Sequence, residues 1–419
     1  MPDDSPSSAE FLSAELCGLP QRAASPGRDK FEEIASLYLD RLRSGEAVDV
    51  NDFANQYPSI ADDLREFLPM VAAMEDWKVQ REFKSYRSPL PEQFEITQLG
   101  DFRIVREIAR GGMGVVFEAV QPMLNRRVAV KLLPWKFPRN SSWAEQFIRE
   151  ARTAAQLQHQ NIVPVYSFGE HDQRYFYAMQ FVRGIGLDKL IQGWDDNKGI
   201  VDLDVLIERA HPSGNVEEIQ RLQNNSSSNR RLLRHGSWIQ IGKIATQIAS
   251  AIRYAHRSGT LHRDIKPGNL LIDQQGKIWV TDFGLAMPQE KLYVEATGPL
   301  SGTLRYMAPE QFHGQGDERS DLYAFGATLY ELCTLKPLFH AKLKSQLITE
   351  IEAGRFVPPR QVNKNIPAAL ESIILKCLQL DREKRYNSAD QLYADLLRFL
   401  NTDAKPGPVK WWQRFFKRK

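Results

Sequence analysis

From Asp101 to Leu133 the chain alternates apolar and polar residues around one glycine-rich interruption, and helical spacing dominates everything after it. Phe102-Arg103-Ile104-Val105-Arg106-Glu107-Ile108 reads as a strand and Val115-Val116-Phe117-Glu118-Ala119 as its hairpin partner. Arg127-Val128-Ala129-Val130-Lys131-Leu132-Leu133 reads as a third strand, since period-two patterning places one face of each strand in a core. Strands first and helices afterwards is the ordering of an α+β fold. It argues against the alternating βαβ units of a doubly wound parallel sheet.

A chain of 419 residues holds two or three folded units. Residues 1–28, rich in Ser, Pro, Ala and Asp, are expected to lack fixed structure. A small helical N-terminal region is expected over 29–84. There Phe31, Ile34, Leu37, Tyr38 and Leu42 recur at helical spacing before Gly45. Asp52 is placed to cap a short helix carrying Phe53 and Tyr57, and Ser59 with Asp62 resembles a capping pair ahead of Ile60, Leu64, Phe67, Leu68, Val71 and Met74. A polar connector, Ser85 to Pro91, separates this region from the strands. Residues 191–236 contain Trp194-Asp195-Asp196-Asn197-Lys198-Gly199 and a run of Asn, Ser and Arg over 224–231; this stretch reads as a polar, loop-like surface insertion, partly mobile.

The bulk numbers exclude several classes. A 42% hydrophobic, 26% charged chain is of globular composition, and a net charge of +3 gives no reason to expect a nucleic-acid partner. Cys17, Cys333 and Cys377 are odd in number and far apart, which is neither a disulfide framework nor a metal spacing. The acidic start Met1-Pro2-Asp3-Asp4 lacks the apolar core of a secretory leader, and no apolar run is long enough to span a bilayer. A cytoplasmic location is expected.

Three segments carry chemistry. Ala109-Arg110-Gly111-Gly112-Met113-Gly114-Val115-Val116 lies between two strands. Glycines there let backbone N–H groups approach phosphate oxygens, although a tight hairpin turn alone would need the same residues. Val128-Ala129-Val130-Lys131 puts one lysine on an otherwise apolar run, and Glu150 on the next helix is its expected partner, so that the ammonium stays charged and aimed at phosphates. His262-Arg263-Asp264-Ile265-Lys266-Pro267-Gly268-Asn269 is too dense in polar groups for a core. Within it Asp264 can orient and deprotonate a hydroxyl, Lys266 can neutralise a phosphoryl group, and Asn269 offers oxygen to a hard cation. Asp282-Phe283-Gly284 follows a strand-like Ile278-Trp279-Val280-Thr281, and Ala308-Pro309-Glu310 comes later.

In this order the motifs resemble those of the eukaryotic-like serine/threonine protein kinases of bacteria, over about 300 of the 419 residues. The resemblance implies a bilobal protein kinase fold over 101–400, with a β-rich N-lobe and a helical C-lobe. It implies ATP and Mg2+ as cofactors and protein substrates phosphorylated on serine or threonine, the chain's own activation loop among them. It assigns the nucleotide to Ile108, Ala109, Arg110, Gly111, Gly112, Met113, Gly114, Val115 and Val116, together with Lys131, Glu150 and the gatekeeper Met179 ahead of the hinge Gln180-Phe181-Val182. It assigns catalysis to Asp264, Lys266, Asn269 and Thr303, with the Thr303 hydroxyl touching Asp264 and Lys266, and the metal to Asn269 and Asp282. Asp321 would anchor the catalytic loop, and Arg385 would pair with Glu310. Lys266, two residues after Asp264, is of the serine/threonine type. Arg263 resembles the arginine that clasps a phosphorylated activation loop, where Thr297 and Ser301 are the candidate sites.

Departures are few: Ala109 stands for the first loop glycine, Leu304 for a common proline after the loop threonine, and Gln160 for another proline. A catalytically dead scaffold would normally lack one of Lys131, Asp264, Asn269 or Asp282, and a small-molecule kinase would lack the Ala-Pro-Glu segment. The tail, residues 401–419, ends Val409-Lys410-Trp411-Trp412-Gln413-Arg414-Phe415-Phe416-Lys417-Arg418-Lys419. Aromatics interleaved with bases suit either the anionic inner face of a membrane or packing onto the kinase.

Overall fold

The computed structural model describes residues 26–43, 48–72, 96–111, 114–136, 142–196, 200–211, 232–235, 237–283 and 302–403. Residues 1–85 and 86–419 are two compact units. Among the described residues no helix is long and apolar enough to cross a membrane.

In the first unit, α1 (Pro26–Arg43), α2 (Val50–Asn55) and α3 (61–72) enclose Ile34, Tyr38, Phe53, Leu64 and Leu68. Phe53 meets Tyr38 edge-on at 5.1 Å, the geometry favoured by aromatic quadrupoles. Two expectations are corrected here. Leu37 is 47% exposed, because it sits one residue, about 100° of helix, from the buried Tyr38. The cap of α2 is Asp49, not Asp52: its extended backbone lets Oδ1 accept from the N–H groups of Asn51 at 2.8 Å and Asp52 at 3.0 Å. Asp52 lies in the first turn instead. Gly45 and Met74 lie outside the described residues.

The second unit begins with a six-stranded sheet in the order β1-β2-β3-β4-β6-β5, all neighbours antiparallel. The strands are β1 (Gln98–Leu99), β2 (Phe102–Gly111), β3 (Gly114–Gln121), β4 (Arg126–Lys136), β5 (Val165–His171) and β6 (Arg174–Gln180). Alternation buries Phe102, Val115, Phe117, Val130, Leu132 and Phe176 in one cluster. Gly114 is required at the hairpin: its φ is +124°, and a Cβ there would stand 2.1 Å from the Leu132 carbonyl oxygen. Among the described residues, helix α4 (Ser142–Ala155) is the one helix between β4 and β5.

After β6 the chain becomes helical. α7 (Trp238–Arg257) buries Ile241, Ile244, Ile248, Ile252 and Ala255, a stripe at three- and four-residue spacing. α8 (Glu318–Thr334) is buried on nearly every side, so its sequence lacks a clean stripe. α9 (Lys344–Glu352), α10 (Pro359–Val362), α11 (Ala368–Cys377) and α12 (Ala389–Asp403) complete this lobe. A small sheet, β11-β10-β7, made from β7 (Gly184–Gly186), β10 (Leu270–Asp273) and β11 (Ile278–Val280), lies at its edge. The α+β, bilobal arrangement is the one the sequence led us to expect.

The described parts of the stretch 191–236 carry regular structure where the sequence suggested a polar loop. α5 (Leu187–Asp196) runs into it and buries Leu187, Leu190, Ile191 and Trp194 on one face, with Trp194 1% exposed. β8 (Ile200–Asp202), paired with β9 (Leu232–Arg234), and α6 (Leu203–Ala210), capped by Asp202, follow. Four polar residues after Trp194 masked the apolar spacing before it. Residues 212–231 lie outside the described ones.

Candidate active site

The loop from His262 to Asn269 joins α7 to β10, and a buried carboxylate from α8 holds it. Asp321 accepts from the backbone N–H groups of His262 and Arg263, each at 2.8 Å, and lies 2.8 Å from His256 Nε2. Burial pushes the Asp321 carboxyl up, but these bonds and the two histidines outweigh it and leave the pKa below the usual value. The grip matters because Arg263 adopts φ +63°, a conformation costly for a residue with a side chain. His262 completes the brace: Nδ1 accepts from the Asp264 N–H at 3.2 Å, so Nε2 carries the proton given to the Thr281 carbonyl at 2.9 Å. Burial keeps this imidazole's pKa low.

Three side chains, Lys266, Thr303 and Asn269, gather around Asp264. Lys266 Nζ lies 3.0 and 2.7 Å from its two carboxylate oxygens and 2.7 Å from Thr303 Oγ1. Asn269 Nδ2 donates to the Asp264 backbone carbonyl at 2.8 Å and to Oδ2 at 2.7 Å. A carboxylate fixed in this way, beside an ammonium and a hydroxyl, can receive a proton from an incoming hydroxyl while positive charge waits beside it.

Lys131 reaches the same region from β4, though with a different partner from the one expected. Its Nζ binds Asp282 Oδ2 at 2.7 Å, while Glu150 of α4 accepts from Arg263 Nη1 at 3.2 Å. The sequence names the four groups but not the pairing, which depends on where α4 stands against the sheet. Asp282 also accepts from the Tyr177 hydroxyl. Burial raises the Asp282 carboxyl, but the Lys131 charge and both hydrogen bonds outweigh it and hold the pKa below the usual carboxylate value. Tyr177, which sequence reasoning missed, stands two residues before Met179 on β6, so period two already placed it on Met179's face. Met179 is buried, paired across the sheet with Ala129 and Val165.

Asn269 lies against Thr281, the residue before Asp282, since the Thr281 N–H and hydroxyl both donate to the Asn269 carbonyl at 3.0 and 3.1 Å. The Asn269 and Asp282 side chains present amide and carboxylate oxygens, a donor set suited to a hard divalent cation that takes its other ligands from phosphate and water. Ala109 and Gly111 pair with Val116 and Gly114 at the hairpin end. Gly112, Met113, Gly284, Thr297 and Ser301 lie outside the described residues. Farther down, Arg385 and Glu310 form the expected pair, Nη1 and Nη2 each donating to one carboxylate oxygen, at 2.6 and 2.8 Å.

The model of the protein kinase domain matches residues 102–396. A probable serine/threonine-protein kinase of Clostridium acetobutylicum is 32% identical over 296 residues, 70% of this chain and 39% of the relative. The serine/threonine-protein kinase PrkC of Bacillus subtilis is 31% identical over 305 residues, 73% of this chain and 41% of that protein. The chain therefore spans about two fifths of the length of these curated relatives. A crystal structure of the PknI kinase domain of Mycobacterium tuberculosis superposes with a TM-score of 0.51 at 21% identity, covering 73% of this chain and 99% of that one; this likeness speaks to fold.

Proposed function

This chain belongs to the protein kinase family, and on that premise we propose that it transfers the γ-phosphate of ATP to serine or threonine hydroxyls of protein substrates. The family uses ATP and Mg2+ in general. The observation that carries the reading is Lys266 Nζ bridging Asp264 and Thr303, with Asn269 on the same carboxylate. In this mechanism Asp264 orients the substrate hydroxyl and takes its proton as that oxygen bonds to the γ-phosphorus, while the bond from the γ-phosphorus to the β–γ bridging oxygen breaks and ADP leaves. Lys266 offsets charge on the phosphoryl oxygens, and Thr303 keeps Lys266 in place. Lys131 steadies the α and β phosphates. Bound Mg2+ would neutralise the β and γ phosphates, held by Asp282 and Asn269. Incubation of the chain with γ-labelled ATP and a generic basic protein, followed by phosphoamino-acid analysis, tests the reading. Label on serine and threonine supports it, and label confined to free phosphate or tyrosine contradicts it.

Two further parts belong to the same proposal. Phosphorylation of Thr297 or Ser301 supplies nearly two negative charges that compete with Glu150 for Arg263. Glu150 is then released toward Lys131. The second part concerns location: the protein works in the cytoplasm, and its C-terminal bases and aromatics rest on anionic lipid.

A further inference from the structure

Directly after α6, in the segment that joins α5 to α7, His211 lies 6% exposed between the two lobes. Its Nε2 is 2.7 Å from the Gly184 carbonyl oxygen, where the hinge enters β7. Its Nδ1 is 3.1 Å from Arg106 Nη2 on β2. These partners fix the proton. A guanidinium only donates and a carbonyl only accepts, so Nδ1 is bare and Nε2 carries the hydrogen.

Arg106 is held in turn. Its Nε donates to Glu118 Oε2 across the hairpin at 2.9 Å, and the other oxygen of Glu118 accepts from Arg127 of β4. On the hinge side the Phe181 ring meets His211 edge-on at 5.4 Å, and the Arg127 guanidinium carbon lies 4.7 Å from the Phe181 ring centre. Arg183 donates to the buried Glu208 of α6. Three sheet strands, the hinge and α6 therefore converge on one imidazole.

We propose that His211 is a positioning residue: a strut between the lobes that holds the root of the glycine-rich hairpin against the hinge and so sets the closure of the adenine end of the site. Arg106 is two residues from Ile108 on β2, which gives the strut its leverage on the hairpin. The proposal rests on the reading of an ATP site between the lobes.

The strut requires a neutral ring. A second proton would stand on Nδ1, facing the Arg106 cation. Burial holds the His211 pKa below the ordinary value; the Gly184 bond and Glu118 oppose this, and Arg106 and Arg183 reinforce it. Glu208 and Arg127 are the other charged groups nearby. With a depressed folded value, the strut is intact above the ordinary histidine range, about 6.5, and is lost as pH falls through the folded value.

The test compares the full chain with His211→Ala and His211→Gln, by amide hydrogen exchange and by titration with the Mg2+ complex of a non-hydrolysable ATP analogue. Glutamine can accept from Arg106 and donate to Gly184 but does not titrate. Alanine should speed exchange over 102–111 and 114–121, leave α7 and α8 unchanged, and weaken nucleotide affinity about fivefold to tenfold, the net worth of one ordinary hydrogen bond. Glutamine should bind as wild type at pH 7.5 and keep its affinity down a descending pH series, whereas wild type should lose it at a midpoint below the ordinary histidine value, about 6.5. Wild-type exchange in the alanine variant, or faster exchange spread through α7 and α8, overturns the strut. Parallel acid losses in wild type and glutamine variant overturn the role of the imidazole. If no form binds nucleotide, the ATP-site reading fails by itself, and hairpin exchange still decides the strut.

Discussion

Substituting Arg385 by alanine should unfold the helical lobe far more easily than a single surface change could. The Arg385 side chain has no exposure, and besides its two bonds to Glu310 it donates to the carbonyls of Gln379 at 2.7 Å, Arg319 at 3.2 Å and Leu380 at 3.2 Å. Its guanidinium carbon lies 5.0 Å from the Tyr323 ring centre. Alanine leaves the Glu310 carboxylate buried beside the Ser320 hydroxyl, which donates to it at 2.7 Å, and strips three carbonyls of a donor. Breaking a buried pair by removing one partner costs about 3–5 kcal/mol, and the orphaned carbonyls push toward the upper end. Urea unfolding of the full chain followed by circular dichroism reads this loss directly, and in a separate thermal scan the melting midpoint should fall by on the order of 10 °C. The pH dependence has a definite sign. Burial raises the Glu310 carboxyl but Arg385 outweighs it, so the folded pKa is depressed. That stability is present above the ordinary glutamate value, about 4.3, and disappears as pH falls through the folded value. Wild type and variant should converge in acid. A loss below about 1 kcal/mol at pH 7, the scale of an exposed pair, would refute the reasoning.

Three other outcomes follow from the site. Asp264→Asn and Lys131→Met should each lower phosphoryl transfer on the order of 10²-fold or more while leaving the melting curve intact; near wild-type turnover in the Asp264 variant removes it from the mechanism. EDTA should abolish activity and added Mg2+ restore it. Tyr177→Phe removes the hydroxyl that binds Asp282, so half-maximal activity should need roughly twofold to fivefold less Mg2+; an unchanged requirement means the hydroxyl does not compete for that carboxylate. Co-sedimentation with anionic vesicles should require residues 408–419 and weaken with salt; equal sedimentation of a chain ending at Gly407 sinks the membrane reading.

What the residues alone disclosed was whatever lies close in the chain; the Arg385–Glu310 pair, 75 residues apart, followed from the family resemblance. Asp264, Lys266 and Asn269 fall within six residues, so one loop brings them together. The alternation of β2 to β4 was equally plain. Pairings across the lobes were not. Lys131 and Asp282 are 151 residues apart, and Glu150 and Arg263 are 113 apart. Which cation takes which carboxylate is decided by the stance of α4, and no local pattern encodes that. Trp194 was misread because a polar run follows it, although Leu187, Leu190 and Ile191 already set a helical stripe. His211 carried no sequence signal beyond being a lone histidine beside Pro212; its meaning comes from Arg106 and Gly184. The Glu118 carboxylate inside an apolar strand was the available clue, since a buried charge requires a cation nearby.

The most direct test of the central claim is mass spectrometry of the full chain after incubation with Mg-ATP, beside the Asp264→Asn variant. The account predicts new phosphate on serine or threonine, with Thr297 or Ser301 among the sites, in wild type alone. No phosphopeptide from wild type, or equal phosphate in both proteins, would contradict it.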